Sequence, residues 1–296
     1  MRSAHREGVA EVRSLRIAAA NRGRSLTAFA DDAFRTRAAF KNWLAVGAVA
    51  GVVLPSRIPP RHGSPRLMER RMAFRTRLGP VLETEIGNAW PIVKIFRNWH
   101  FDLPIDWSTI RGVVEIGGHV GAFAIWAALR APHAQIVTFE PEPRNFRDLE
   151  QNVDRSGLAD RIVAINAAVA AENGRRALDV PTQRNRASIV AQPTARADAT
   201  EVECVGLEGY FQRKSGSQAD VLKLDCEGAE WEILPSLRHE TLSRFRHILV
   251  GCHAREQLEL DEMQELLARE GFSLRVVETG SDPEYRFLAT FWAERT

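Results

Sequence analysis

The chain of 296 residues has only three cysteines, Cys204, Cys226 and Cys252, scattered and odd in number. No two of them have the spacing of a zinc site, and they imply no disulfide framework. Reduced core thiols in a cytoplasmic protein are the expectation. Long apolar runs are missing too. The run from Trp43 to Leu54 covers 12 residues, against roughly 20 for a membrane span. Pro55, Pro59 and Pro60 end it. It lies too deep for a signal peptide, and no obvious cleavage site follows. A buried or interface-lying helix over about residues 38–53 is expected instead. Internal repeats, low-complexity tracts and the run Gly-x-Gly-x-x-Gly are absent. Net charge is small, +2, but uneven. The first 80 residues carry 15 Arg and one Lys against five acids, a surplus of +11 that leaves −9 for the rest. A solvated, weakly helical basic extension over residues 1–72 is the favoured reading. Peripheral contact with an anionic membrane surface is the minority one. No nucleic-acid partner is expected.

What is present centres on residues 113–123. Val113, Val114 and Ile116 suit a strand covered on both faces. Gly117, Gly118 and Gly121 allow a sharp turn and close approach to a ligand. Residues 123–129 then run at helical spacing. A helix N-terminus behind a glycine loop offers free N–H groups and a positive dipole end. The pattern is Glu-x-Gly-x-x-x-Gly, with Glu115 at the strand end. Past it, residues 136–140 end a second strand in Glu140. An acid there is placed to accept hydrogen bonds from both hydroxyls of a ribose. A dinucleotide site and an S-adenosylmethionine (SAM) site both satisfy these features.

Elements continue in alternation. A helix over 144–157, a strand over 161–169, a hairpin insertion within 174–205, a strand over 219–225 and a helix over 229–237 follow in turn. A strand over 247–252, a helix over 258–270 and strands over 273–277 and 287–292 complete the chain. The last two strands read as an antiparallel edge pair. Strands alternating with helices indicate an α/β fold with a doubly wound, mostly parallel sheet, here over residues 73–296. Ahead of it, residues 74–82 read as a strand and turn. Residues 90–101 read as an amphipathic helix and lid beside the glycine loop. Ligands belong at the carboxyl ends of the strands, where Glu115, Glu140, Asp225 and His253 all fall.

The run Val221-Leu222-Lys223-Leu224-Asp225-Cys226-Glu227-Gly228-Ala229-Glu230 concentrates ionisable groups at such an end. Lys223, Asp225 and Glu227 share one side of a period-two pattern. Charges there are costly unless paired or used. Glu230 reads as an acid in a helix first turn, stabilised by the dipole.

Three stretches in this order carry a family resemblance: residues 115–121, residues 139–143 (Phe139-Glu140-Pro141-Glu142-Pro143) and residues 223–230. Gln151-Asn152-Val153 adds to it. Together they closely resemble the FkbM family of SAM-dependent methyltransferases. The resemblance implies a seven-stranded class I methyltransferase fold, SAM as methyl donor, and usually O-methylation of sugars, glycans or secondary metabolites. It places Glu115, Gly117, Gly118, His119, Gly121, Glu140, Pro141 and Asp225 at the cofactor, and Asn166 is read beside them on the adenine side. Departures are visible. Glu115 stands where the family usually has Asp, and His119 where Asn is common. Ala167-Ala168-Val169-Ala170-Ala171 lacks the usual acid. Gly251-Cys252-His253 keeps the His of a Glu-x-His pattern and loses the acid.

Methyl transfer depends chiefly on positioning a nucleophile in line with the sulfonium methyl. A hydroxyl acceptor must also give up its proton to a base within hydrogen-bond reach. Asp225, Glu227 and His253 are the candidate catalytic bases, with Lys223 as partner of an acid. A histidine near its ordinary pKa of roughly 6.5 acts as a base near neutrality. A divalent metal held by Asp225, Glu227 and His253 ranks second. An oxidoreductase and a non-catalytic SAM-binding or scaffold protein are the other functional classes. No residue pattern names the acceptor.

Overall fold

The structure is a computed structural model that describes residues 26–47, 65–97, 103–180, 188–189, 200–213, 219–253, 257–279 and 287–295. The chain begins with α1 (Leu26–Ala39), the short α2 (Pro65–Met68), the hairpin β1 (Arg71–Arg75) and β2 (Val81–Glu85), and α3 (Trp90–Phe96). Then come β3 (Gly112–Ile116), α4 (Ala122–Arg130), β4 (Gln135–Phe139), α5 (Pro143–Arg155) and β5 (Ile162–Ile165). A second sheet follows, from β6 (Ala168–Ala170), β7 (Gly174–Asp179), β8 (Ser188–Ile189) and β9 (Thr200–Gly206). The chain returns through α6 (Leu207–Arg213), β10 (Val221–Leu224), α7 (Glu230–Ser236), α8 (His239–Leu242) and β11 (His247–His253). It ends with α9 (Gln257–Arg269), β12 (Phe272–Thr279) and β13 (Phe287–Arg295).

The main sheet has seven strands in the order β12-β13-β11-β10-β3-β4-β5. The expected doubly wound α/β sheet is therefore present. The antiparallel strand lies one place in from the edge. β13 runs antiparallel to both β11 and β12, with β12 outside it. Strand order depends on which neighbours cover each edge, and a hairpin reading of the sequence leaves that order open. Central strands are apolar on both faces because helices cover both. Along β3, Val113 joins the cluster under α3 and α4, while Val114 and Ile116 join the opposite cluster with Ile233 and Leu234 of α7.

Two segments depart from the sequence reading. The strand expected over 161–169 splits after Ile165. Asn166 turns the chain and donates to the carbonyls of Glu140 (2.8 Å) and Pro141 (3.3 Å). β6 then leaves the main sheet and pairs with β9. The helix expected over 38–53 is interrupted. α1 ends at Ala39, Phe40 bridges to Thr76, and residues 43–47 are helical again. The interruption has a polar cause. The Asn42 amide donates to the Ala73 carbonyl (2.8 Å) and its oxygen accepts from the Arg75 N–H (3.0 Å), so residue 42 serves the hairpin edge instead of a helix. Phe40 is fully buried against Phe74 and Phe96, with ring centroids 6.3 Å apart in each pair. Residues 48–53 lie outside the described residues, as do residues 1–25 and the later part of the stretch expected to form a lid. Among the described residues no helix is long and apolar enough to cross a membrane.

α5 ties the hairpin to the glycine loop. Its buried face sets the polar Asp148 and Asn152 beside Leu149 and Val153. Asp148 accepts from Arg71 (2.8 Å) and Thr84 (2.9 Å). Asn152 accepts from the Glu83 N–H (2.8 Å) and donates to the carbonyls of Glu83 (3.2 Å) and Val120 (2.9 Å). A fully buried amide with these partners satisfies three main-chain groups of two segments at once.

Candidate functional site

The carboxyl ends of β3, β4 and β10 open into a cleft of about 510 Å³. Its walls include Gly117 and His119 from the loop after β3, Glu140 and Pro141 after β4, Ala167 ahead of β6 with Ala168 and Val169 within it, and Asp225 to Glu227 after β10. The expected residues Glu140, Pro141, His119, Gly117, Asp225 and Glu227 thus share one cavity. Glu115, Gly118, Gly121, Asn166, Lys223 and His253 do not line it.

The glycine loop is shaped by its neighbours. The N–H groups of Gly117 and Gly118 both donate to the Phe139 carbonyl, at 3.0 and 2.9 Å. Gly117 has φ +86°, and a Cβ there would fall on the Asp225 carbonyl. Only glycine lets the ends of β3 and β10 approach so closely. Gly121, at φ +83°, begins α4.

Behind the loop lies a buried ionic row. Strand register sets Lys223 beside Glu115, and Glu115 beside Thr138. Lys223 Nζ lies 3.3 Å from Glu115 Oε1, and the Thr138 hydroxyl donates to Oε2 at 2.9 Å. The ammonium also sits 5.3 Å from the Phe123 ring centre. Burial alone would depress the Lys223 pKa, but the carboxylates of Glu115 and Asp225 hold it above the ordinary value. Burial pushes the Glu115 carboxyl up despite that cation. Glu115 therefore braces the floor of the site through Lys223.

Glu140 is buried but faces the cleft. Its Oε2 accepts from the His119 N–H at 2.7 Å, and its Oε1 from the Glu142 N–H at 3.0 Å. Burial raises its pKa to about 7, against the lowering pull of those bonds. Glu142 in turn caps α5, accepting from the Asn145 N–H at 2.7 Å.

A second cluster lies at the other end of the cleft. The Asp225 side chain is 45% exposed and sits between two cations, with Oδ2 3.7 Å from Lys223 Nζ and Oδ1 3.7 Å from His253 Nε2. Burial acts to raise its pKa, but Lys223 and His253 outweigh it and hold the carboxyl below its usual range. Glu227 adopts the left-handed backbone region (φ +56°), uncommon outside glycine. Its Oε1 lies 3.6 Å from His253 Nε2. Nδ1 of the ring lies 2.7 Å from Glu230 Oε1. Burial would lower the His253 pKa, yet the Glu230 bond and the carboxylates of Glu230, Glu227 and Asp225 raise it to about 9. The ring is thus not the near-neutral histidine expected from an ordinary pKa.

Glu230 is the residue whose part here was least visible in the sequence, where it reads as a helix-dipole acid. Fully buried, it takes four donors: the His253 N–H and ring, the Gly228 N–H at 2.9 Å and the Cys226 thiol at 3.2 Å. The available signal was the spacing Asp225-x-Glu227-x-x-Glu230. The glycine at 251 also has a reason. A Cβ there would lie 3.1 Å from Asp225 Oδ1, so the Asp225 side chain occupies the space beside β11. Asn166, expected at the cofactor, braces the turn that carries Glu140 and Pro141. Among the described residues no cluster of His, Cys, Asp and Glu has the arrangement of a metal site.

The chain is 25% identical over 202 residues to the AMB antimetabolite synthetase AmbE of Pseudomonas aeruginosa, covering 55% of the chain and 10% of that protein. It thus spans about a tenth of that relative's length. It is 21% identical over 191 residues to methyltransferase sdnD of Sordaria araneosa, covering 55% of the chain and 73% of that protein. Among solved structures, a human methyltransferase 10 domain containing protein is 15% identical with a TM-score of 0.44, covering 74% of this chain and 89% of that one. The precorrin-6y C5,15-methyltransferase of Geobacter metallireducens is 14% identical with a TM-score of 0.37, covering 70% and 87%. The family model described as the Methyltransferase FkbM domain matches residues 115–274, from the acid at the end of β3 into β12. That match takes in more than half of the chain and every candidate site residue, and the chain belongs to the FkbM methyltransferase family.

Proposed function

We propose that this methyltransferase uses S-adenosylmethionine to methylate a hydroxyl oxygen of a small-molecule acceptor, a sugar, glycan or secondary metabolite. The observation that carries the reading is Glu140. A buried carboxylate ends β4, is pinned by the His119 N–H of the glycine loop, and faces the cleft. That is the position for accepting two ribose hydroxyls. The residues present fit such a cofactor. Pro141, Phe139, Ala167, Ala168 and Val169 supply an apolar wall suited to a flat base. Gly117 and His119 bring main chain to the middle of the cleft, and Asp225 a carboxylate to its far end. Bound there, the cofactor supplies an electrophilic methyl group. Lys223 holds Glu115 and Asp225 in place, Asp225 and Glu227 orient the acceptor, and His253 lies behind them. The transferring unit is proposed to span residues 73–296, with Phe40 and Val46 buried against it.

Calorimetry with SAM and with NAD on the full chain tests the cofactor, and transfer of labelled methyl to a panel of sugars and metabolites tests the reaction. SAM binding with label in an ether product is expected. Asp225→Asn is expected to keep SAM binding and lose turnover. NAD binding without SAM binding would refute the reading in favour of an oxidoreductase.

A further inference from the structure

The end of the β1–β2 hairpin and the helix beside it take no part in the cleft. Residues 33–47 and 72–82 contain five cations and no acid. The fold brings the two stretches together. Phe40 bridges to Thr76, the Lys41 N–H donates to the Arg75 carbonyl at 2.7 Å, and the Arg77 N–H donates to the Ala39 carbonyl at 2.8 Å. Phe40 and Thr76 are buried, so the residues next to them turn outward. Lys41 stands opposite Arg75, and both are exposed. Arg77 Nε donates to the Arg37 carbonyl at 2.7 Å, which brings two more exposed arginines to the end of α1. Like charges facing each other across strands are destabilising, so packing gives no reason for them.

Apolar side chains share this patch. Of the five large apolar side chains that stand exposed among the described residues, three belong to these stretches: Phe34 and Leu44, each 70% exposed, and Leu78, 50% exposed. Phe34 lies one helical turn before Arg37 on α1, Leu44 follows Lys41 by three residues, and Leu78 follows Arg77 in the hairpin turn. A lone exposed leucine is ordinary, whereas three apolar side chains among four cations form a surface that can bind.

We propose that this patch docks on an anionic lipid bilayer. Arg37, Lys41, Arg75 and Arg77 meet the headgroup phosphates, and Phe34, Leu44 and Leu78 enter the boundary between headgroups and acyl chains. Charge complementarity selects a polyanion. The exposed leucines select lipid over nucleic acid, whose phosphates attract the cations but give an aliphatic side chain nothing to bury in. The patch lies outside the cleft, so docking stands whatever group the cleft transfers.

The test uses the full chain and phosphatidylcholine vesicles with and without phosphatidylglycerol. Sedimentation should show binding that needs the anionic lipid and weakens as salt rises to about 0.5 M. Lys41→Gln with Arg75→Gln should lower the partition coefficient roughly 30-fold, from the attraction that each cation contributes near an anionic surface. Phe34→Ser with Leu44→Ser should lower it about tenfold or more. In the wild-type chain, anionic vesicles should slow acetylation of Lys41 severalfold and leave Lys94 on α3 unchanged. Absence of vesicle binding, or equal acetylation of Lys41 with and without vesicles, overturns the proposal from wild-type protein alone, even if a variant fails to fold. Unchanged partitioning in both folded double variants overturns it too, by placing the binding in another basic stretch. So does duplex DNA bound as tightly as the vesicles and without loss in Phe34→Ser with Leu44→Ser, the mark of a nucleic-acid surface.

Discussion

Glu140 should make SAM binding depend on pH in a window set by its burial. Its folded pKa is raised from 4.5 to about 7, with burial as the largest cause. The sign for stability follows from the raised value. The protonated carboxyl favours the folded apoprotein, most fully below pH 4.5, and that contribution disappears as pH rises through 7. Its full size is about 3 kcal/mol, from the energy of one pKa unit. The sign for binding is opposite. Two ribose hydroxyls donate to the ionised form, so binding requires the proton to leave. One pH unit below the midpoint, about nine-tenths of the apoprotein is protonated, and affinity falls roughly tenfold. Calorimetry from pH 5.5 to 8.5 should show affinity rising about tenfold per unit below 7 and levelling above it. At pH 6 binding should release nearly one proton, read from the dependence of the heat on buffer ionisation. Glu140→Gln should flatten the profile. At pH 8 it should weaken binding by about 2–3 kcal/mol, roughly 30- to 160-fold, since charge-assisted bonds to the hydroxyls are lost. Affinity unchanged between pH 6 and 8, with no proton release, would refute the placement of Glu140 at the ribose.

Two further outcomes test the frame of the site. Gly117→Ala puts a methyl on the Asp225 carbonyl at a positive φ, so the ends of β3 and β10 must part. Denaturant unfolding should show a loss of about 2–4 kcal/mol, and a loss below about 1 kcal/mol would mean the loop yields easily. Lys223→Met leaves Glu115 buried without its cation and should cost about 3–5 kcal/mol at neutral pH. The double variant with Glu115→Gln should recover much of that, and strict additivity of the two single losses would show that the pair is uncoupled.

Local pattern made several parts of this protein legible. The alternation of apolar strands and amphipathic helices, the glycine turn after β3 and the acids at strand ends are properties of short segments, and each stands near its expected place. The interruption at Phe40 to Asn42 was hidden because its cause is the distant carbonyl of Ala73 and N–H of Arg75. The split between β5 and β6 was hidden for a like reason. Asn166 turns the chain by binding the carbonyls of Glu140 and Pro141, which come from another strand end. Asn152 was visible only as part of a family pattern. Its work is to bind Val120 and Glu83 together.

By itself the sequence determined the fold class and the cluster of ionisable residues after β10, because these depend on composition, period and spacing along the chain, and its motifs carried the family resemblance. Tertiary structure alone decided how those charges are shared. Sheet order sets Lys223 beside Glu115 and Glu115 beside Thr138, and a packed helix sets Glu230 behind His253. Partners and burial fix the protonation of a group, and both come from segments distant in the chain.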